Sequence, residues 1–388
     1  MKRQRFNVLG TLLVLGLLSP PLVAAKEVDQ FSDRLRILEF YAGGYRTIAG
    51  APSPERMQGV LDDKMNALLD ELAARLAQDT TANEDGRIAH ARKVFQHPLL
   101  AELITPYEEW ANHEPQLAVY RVRDKGIYGY ALDYDDVRIT WYIPLSPTIQ
   151  VQGTLIGLDK LGHFLAQGFE YAEHYHSLDS GLLVPERAAL VREYGHEQEV
   201  AQLGLATGGI YSVADLASNW SGMLFFLSLF DDVRVEQEQH ARFFARDKGG
   251  VFRRVRDFHW SEWVTSDWDE ALNPSRMDKR VMFDKVVKNF WRPSGAPGST
   301  APSICDDYRR DPAAFLGHIQ PPTRSRYSLP EKLQAIAPFP IDVKRICHAF
   351  GPNDVHEQYK ERLPLGAAHA VEPMAPDSSA DKRDDAPR

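Results

Sequence analysis

The residues best suited to chemistry lie between Asp159 and Gly222. Asp159, His163, Glu170 and His174 recur at helical spacing in the run DKLGHFLAQGFEYAEHYH, residues 159–176. At about 100° per residue they share one narrow stripe, with Leu161, Phe164, Leu165, Phe169 and Ala172 opposite. Asp159/His163 and Glu170/His174 are each four residues apart, which is one turn. That spacing suits two ligands of one metal ion, or an acid that orients an imidazole. A solvated surface helix has the same two-sided pattern, so this stripe alone does not define a site.

A second run, SVADLASNWSGMLFFLSLF, residues 212–230, places Ser212, Asp215, Asn219 and Gly222 on one stripe of a helix that is otherwise apolar almost all round. Such a helix is normally buried. A buried carboxylate and a buried amide need partners, or they cost several kcal/mol or shift the acid's pKa upward. Ser212 followed three residues on by an acid matches a capping pattern, which accounts for Asp215 locally. Asn219 has no such explanation. The expectation is that Asp215 and Asn219 face the His163 stripe in one cleft, with a purely structural hydrogen-bond network as the competing arrangement. The strongly charged segment 185–204 lies between the two runs. Most of its Glu193, His196, Glu197 and Glu199 are expected to be solvated, with Glu193 or Glu197 the residue that completes the site.

As a metal centre, the set assigns Asp159, His163, His174 and Asp215 as ligands. Glu170 or Glu197 is then the general base, and Asn219 positions substrate. An oxygen-rich divalent site suits manganese or magnesium, and two His ligands move the choice toward zinc.

The order Asp159-Lys160-x-x-His163-Phe164, an acidic helix with Glu193 or Glu197, then Ser212-x-x-Asp215-x-x-x-Asn219-x-x-Gly222 resembles the VanZ-like family and related uncharacterised exported bacterial proteins. The resemblance spans residues 159–222 of 388. VanZ-like proteins are small integral membrane proteins linked to glycopeptide resistance. Here the 159–176 helix is too charged to lie in lipid, so the resemblance implies a soluble or interfacial version.

Other motifs fail on their residues. His196-Glu197-Gln198-Glu199-Val200 begins like the zinc-protease helix, but Val200 stands where the second His is needed. Glu170-Tyr171-Ala172-Glu173-His174 has Glu170 in place of a His in the inverted version. No nucleophile elbow, phosphate loop or dinucleotide fingerprint appears. His259-Trp260-Ser261-Glu262-Trp263 and Trp268-Asp269-Glu270 either line a sugar groove or, more commonly, pack an aromatic face on the core.

The elements that must position these residues follow from texture. Residues 27–48, 54–77 and 86–110 read as helices, rich in helix formers with regular apolar spacing. Residues 117–144 alternate apolar and polar side chains, rich in Val, Ile and Tyr, which predicts a small antiparallel β-meander extending to 151. Helices return at 159–176, 185–204, 212–230, 232–246 and 276–291. The fold class is therefore α+β, mainly helical with one small meander. The chain divides into a helical domain over 26–293 with a β insertion at 117–151, a linker at 294–303, a proline-punctuated segment at 304–366 and a disordered tail at 367–388.

Residues 1–25 read as a secretory signal. Lys2, Arg3 and Arg5 precede an apolar core from Val8 to Leu18, and Val23-Ala24-Ala25 offers a cleavage site. Cleavage removes three basic and no acidic residues, taking the net charge from −9 to −12. This acidic balance argues against a nucleic-acid partner, which needs basic surface to displace counterions. After signal removal no transmembrane span is expected, and contact with a membrane is at most peripheral. In an exported chain Cys305 and Cys347 are expected to form a disulfide. Two functions compete. One is a periplasmic or secreted non-catalytic binding or structural protein with an unknown envelope partner. The other is a metal-assisted hydrolase acting on a cell-wall or lipid-linked substrate. The lack of a complete catalytic signature favours the first.

Overall fold

The computed structural model describes residues 27–42, 53–79, 83–96, 105–122, 126–128, 145–293, 300–316 and 331–351. The segment read as a secretory signal (1–25), much of the expected meander (129–144), the greater part of the expected linker (294–299) and the C-terminal tail lie outside the described residues.

The first half is helical: α1 (Arg34–Ala42), α2 (Pro54–Gln78), α3 (Glu84–Phe95) and α4 (Pro106–His113). Side chains stop the first turns from fraying. Ser53, Asn83 and Thr105 each accept a hydrogen bond from the backbone N–H three residues on. Pro54 and Pro106 occupy first-turn positions, where no intrahelical N–H is needed. The segment read as one helix over 86–110 is thus two, with the second opened by Thr105-Pro106.

A strand, Leu145–Ser146, pairs in parallel with Glu27–Val28. A hairpin follows, joining Thr148–Val151 to Thr154–Gly157 through Gln152 and Gly153, both at positive φ. It leads directly into the two key helices. Residues 159–176, read as one helix, are two: α5 (Asp159–Leu165) and α6 (Gln167–Ser177), broken at Ala166. The Leu165 carbonyl at the break accepts a hydrogen bond from the Gln96 side-chain amide at 2.5 Å. Then come α7 (Val184–Ala201), the short α8 (Gly204–Thr207) and α9 (Val213–Leu227). Helix α9 is buried along nearly its whole length, as its composition implied, and packs on both α5 and α6.

Residues 232–246 correct the sequence expectation of a helix. They form a hairpin, Val233–Val235 with Glu238–His240, and then the first strand of another, Phe244–Arg246 with Phe252–Arg254. The cause is local: Val233 and Val235 alternate with Arg234, and Glu236 takes φ 54° in the turn. Beyond it lies α10 (Arg280–Phe290), preceded by strand Arg276–Met277. That strand is the centre of an antiparallel three-stranded sheet, between Ile210–Tyr211 and Phe339–Pro340. The fold is α+β, mainly helical with small sheets of two or three strands.

The C-terminal segment is not an appendage. Ile304, Cys305, Tyr308, Phe315, Ile346 and Cys347 share one buried cluster with Phe31, Met277 and Phe283. Cys305 and Cys347 form the expected disulfide, with Cα atoms 5.2 Å apart. Arg34, fully buried, forks onto Asp269 at 2.8 and 3.2 Å and also donates to the carbonyls of Phe315 and Leu316. Trp260, Trp263 and Trp268 are core residues around Phe164. Their burial removes the sugar-groove reading of that segment.

Candidate functional site

Three close contacts build the site. Helix α5 starts where the Asp159 N–H meets Ser146 Oγ at 2.9 Å. Helix α9 starts at Ser212, whose Oγ accepts the Asp215 N–H at 3.2 Å. Helix α9 then touches the α5–α6 run through backbone alone, Gly222 meeting Gly168 of α6 and the Phe164 carbonyl of α5. A Cβ on Gly168 would lie 2.6 Å from Gly222 Cα, and one on Gly222 would collide with the Phe164 carbonyl. This approach brings the α5 stripe onto the α9 stripe.

The centre of the cluster is Lys160, with no exposed side-chain surface. Its Nζ reaches Asp159 Oδ2 at 2.9 Å, Glu270 Oε1 at 2.7 Å, and Asp215 Oδ1. Asp215 Oδ2 is 3.1 Å from His163 Nε2. The other ring nitrogen of His163, Nδ1, lies 3.1 Å from Asn219 Oδ1. Asn219 Nδ2 in turn donates to the Tyr171 hydroxyl at 3.3 Å. Asp159, His163, Asp215 and Asn219 thus lie together in one place.

Asp215 is not held by a capping box. Its carboxylate turns into the cluster, and Glu199 accepts the Ser212 N–H at 2.8 Å in its stead. Lys160, Glu199 and Glu270 are the members to which the sequence reading gave no role in the site. Glu199 and Glu270 are buried, and each leaves one oxygen, Oε2, without a hydrogen-bond partner, as does Asp159 at Oδ1.

Charge in the cluster follows from these contacts. Burial raises the pKa of Asp215, but the adjacent His163 and Lys160 outweigh it and hold the carboxyl well below its usual range. Burial lowers the pKa of His163, yet the neighbouring Asp215 carboxylate reverses this and pushes it up to about 9. Desolvation lifts Glu199 to about 8, aided by the nearby Asp215 charge. Desolvation likewise lifts Glu270 to about 8, against the pull of Lys160. The cluster thus favours an imidazolium at His163 against a carboxylate at Asp215, while burial favours the protonated forms of Glu199 and Glu270.

The remaining expected site residues lie elsewhere. Glu170 and His174 are on α6, beyond the break at Ala166, and line a surface groove with Tyr194 and Gln198. Glu197 is exposed on α7, as is Glu193. His174 stacks on Tyr194, with ring centroids 4.2 Å apart. The assumption of one continuous helix gave the four-residue stripe, and the break divides it. Among the described residues, the only group of three acidic or imidazole side chains within common metal reach is Asp159, His163 and Asp215, whose donor atoms lie within 4.8 Å of one another. His174 is not part of it.

No protein-family model, curated protein or solved structure matches the chain.

Proposed function

We propose that the chain is an exported bacterial envelope protein with a non-catalytic binding or structural role, and that its Lys160-centred cluster fixes the fold around that role. The observation that carries this reading is the commitment of both ring nitrogens of His163, to Asp215 and to Asn219. A metal-ligating histidine must turn a deprotonated ring nitrogen to the ion. With Asp215 and Asn219 each facing one of its nitrogens as acceptors, His163 has none turned to an ion. The Lys160 ammonium also sits on two of the three candidate metal ligands, in the place a cation would take. Export is supported by the signal-like first 25 residues and by the disulfide. The VanZ-like resemblance fits an envelope location, and no described helix is long and apolar enough to cross a membrane.

The metal-assisted hydrolase is the second reading, favoured by the donor set of Asp159, His163 and Asp215. Metal content separates the two. The full exported chain, purified without a His-tag, is expected to carry no stoichiometric manganese, magnesium or zinc. One equivalent of metal in the wild type, lost in both His163→Ala and Asp215→Ala variants that still fold, sinks the non-catalytic reading and makes hydrolase assays the next step.

A further inference from the structure

A cavity where α3, α6 and the end of α9 meet shares no residue with the Lys160 cluster. Its volume is about 70 Å³. A water molecule fills about 30 Å³ of liquid, so the cavity has room for a group of about two or three carbon atoms. Its floor is apolar: Ala91, Phe169, Phe226 and Leu227 are all buried. Its rim is charged and opens to solvent, with Glu84 and Asp231 exposed.

The rim charges are unevenly matched. Glu173 is paired with Arg92, and Glu84 lies 3.5 Å from His176 Nδ1. Burial lowers the pKa of His176, which favours its neutral ring. Two charges remain. Arg87 lays its guanidinium over the rings of Phe230 and Phe252, 4.9 and 5.3 Å from their centroids. Stacking uses the face of a guanidinium and leaves its N–H edge for an acceptor. Among the described residues, however, Arg87 has no ion pair, and its Nε is buried without a hydrogen-bond partner. Asp231 has no ion pair among them either, since the nearby Arg242 is held by Asp232. Arg87 and Asp231 both act on the charge of His176, so they flank the same mouth.

A ligand with a single charge would answer one of these two groups and be repelled by the other. An uncharged ligand would leave both unmatched. A molecule with both charges on one carbon and a short apolar branch answers the cation, the anion and the floor together. We propose that this cavity binds a small apolar α-amino acid as its zwitterion. The carboxylate takes the N–H edge of Arg87, in the fork geometry that guanidinium and carboxylate share. The ammonium takes Asp231, and the side chain enters the floor of Phe169 and Phe226. The charged end stays at the open rim, so only the side chain needs the volume of the cavity. This goes beyond the role of the buried cluster and does not depend on it.

The test is calorimetric titration of the full exported chain with L-valine and with two analogues, isovalerate, which lacks the ammonium, and isobutylamine, which lacks the carboxylate. Saturable binding of L-valine is expected, with each analogue at least about tenfold weaker. Arg87→Gln, which keeps most of the stem, and Asp231→Asn are each expected to weaken L-valine about tenfold while the circular dichroism spectrum is unchanged. Lys288→Ala, exposed on α10 and outside the cavity, is expected to leave affinity as it was. No saturable binding of L-valine up to about 10 mM overturns the proposal. So does an analogue that binds as tightly as L-valine, or binding that neither rim variant weakens. Should Arg87→Gln fail to fold, the exposed Asp231→Asn decides alone. Metal content bears only on the cluster, so either idea can fail without the other.

Discussion

Helices α5 and α6 were one helix by sequence and are two regions with opposite fates. Asp159 and His163, before the break, are drawn into a buried polar cluster. Glu170 and His174, about one and two turns after the break, stand at a surface groove. The residue types and spacings are the same in both halves: an acid, then a His four residues on. What differs is the facing element. Helix α5 meets the buried stripe of α9 and, beyond it, Glu270. The polar side of α6 meets α7 at a surface groove, where His174 stacks on Tyr194. An i,i+4 acid–His pair therefore says little on its own, and the partner across the interface decides what it becomes.

The largest expected effect tests whether the α5 half is structural. Asp215→Ala would leave the Lys160 and His163 charges buried without their shared partner, at a cost of about 3–5 kcal/mol. Chemical denaturation of the variant measures this, and a loss below about 1 kcal/mol would remove the distinction between the halves. Gly222→Ala should cost about 1–3 kcal/mol or more, because its methyl group meets the Phe164 carbonyl rather than a side chain that can yield. A stabilised Gly222→Ala protein would show that the two helices are not held at that spacing.

The pH dependence of stability comes next. Glu199 and Glu270 bind their protons more tightly folded than unfolded, so folding loses stability as pH rises from about 4.5, the ordinary value, toward about 8. His163 adds to the same trend. Its raised pKa stabilises fully below about 6.5, and the contribution is lost as pH rises through about 9. The melting temperature is thus expected to be lower at pH 9 than at pH 6. Glu199→Gln with Glu270→Gln should flatten that slope, and an equally steep slope in the double variant would contradict the assignment. The smallest effect is on the open half. His174→Ala should change stability by no more than about 0.5 kcal/mol, measured by the same denaturation.

Much of the cluster was legible. The α9 stripe stood out because Asp215 and Asn219 sit in an apolar helix, where polar groups must find partners. The disulfide followed from there being two cysteines in a chain whose first 25 residues read as an export signal. Lys160 was not legible: a buried lysine looks like any solvated one until its three carboxylates arrive from Asp159, α9 and the loop carrying Glu270. Glu199 was hidden by the charged stretch around it. The break at Ala166 left no mark, because the apolar period of Leu161, Phe164, Leu165 and Phe169 continues through it. The hairpins after α9 were missed because their strands are three residues long, too short for alternation to compete with helix-forming Glu, Gln and Arg.

The contact between Gly168 and Gly222 leaves the two helices no slack. Across a library of single substitutions, most buried positions should show graded tolerance, with smaller or similarly shaped side chains surviving. These two should behave as switches, accepting glycine and rejecting everything else, alanine included. In a deep mutational profile, intolerance of alanine at both columns, 54 positions apart, would mark the crossing point.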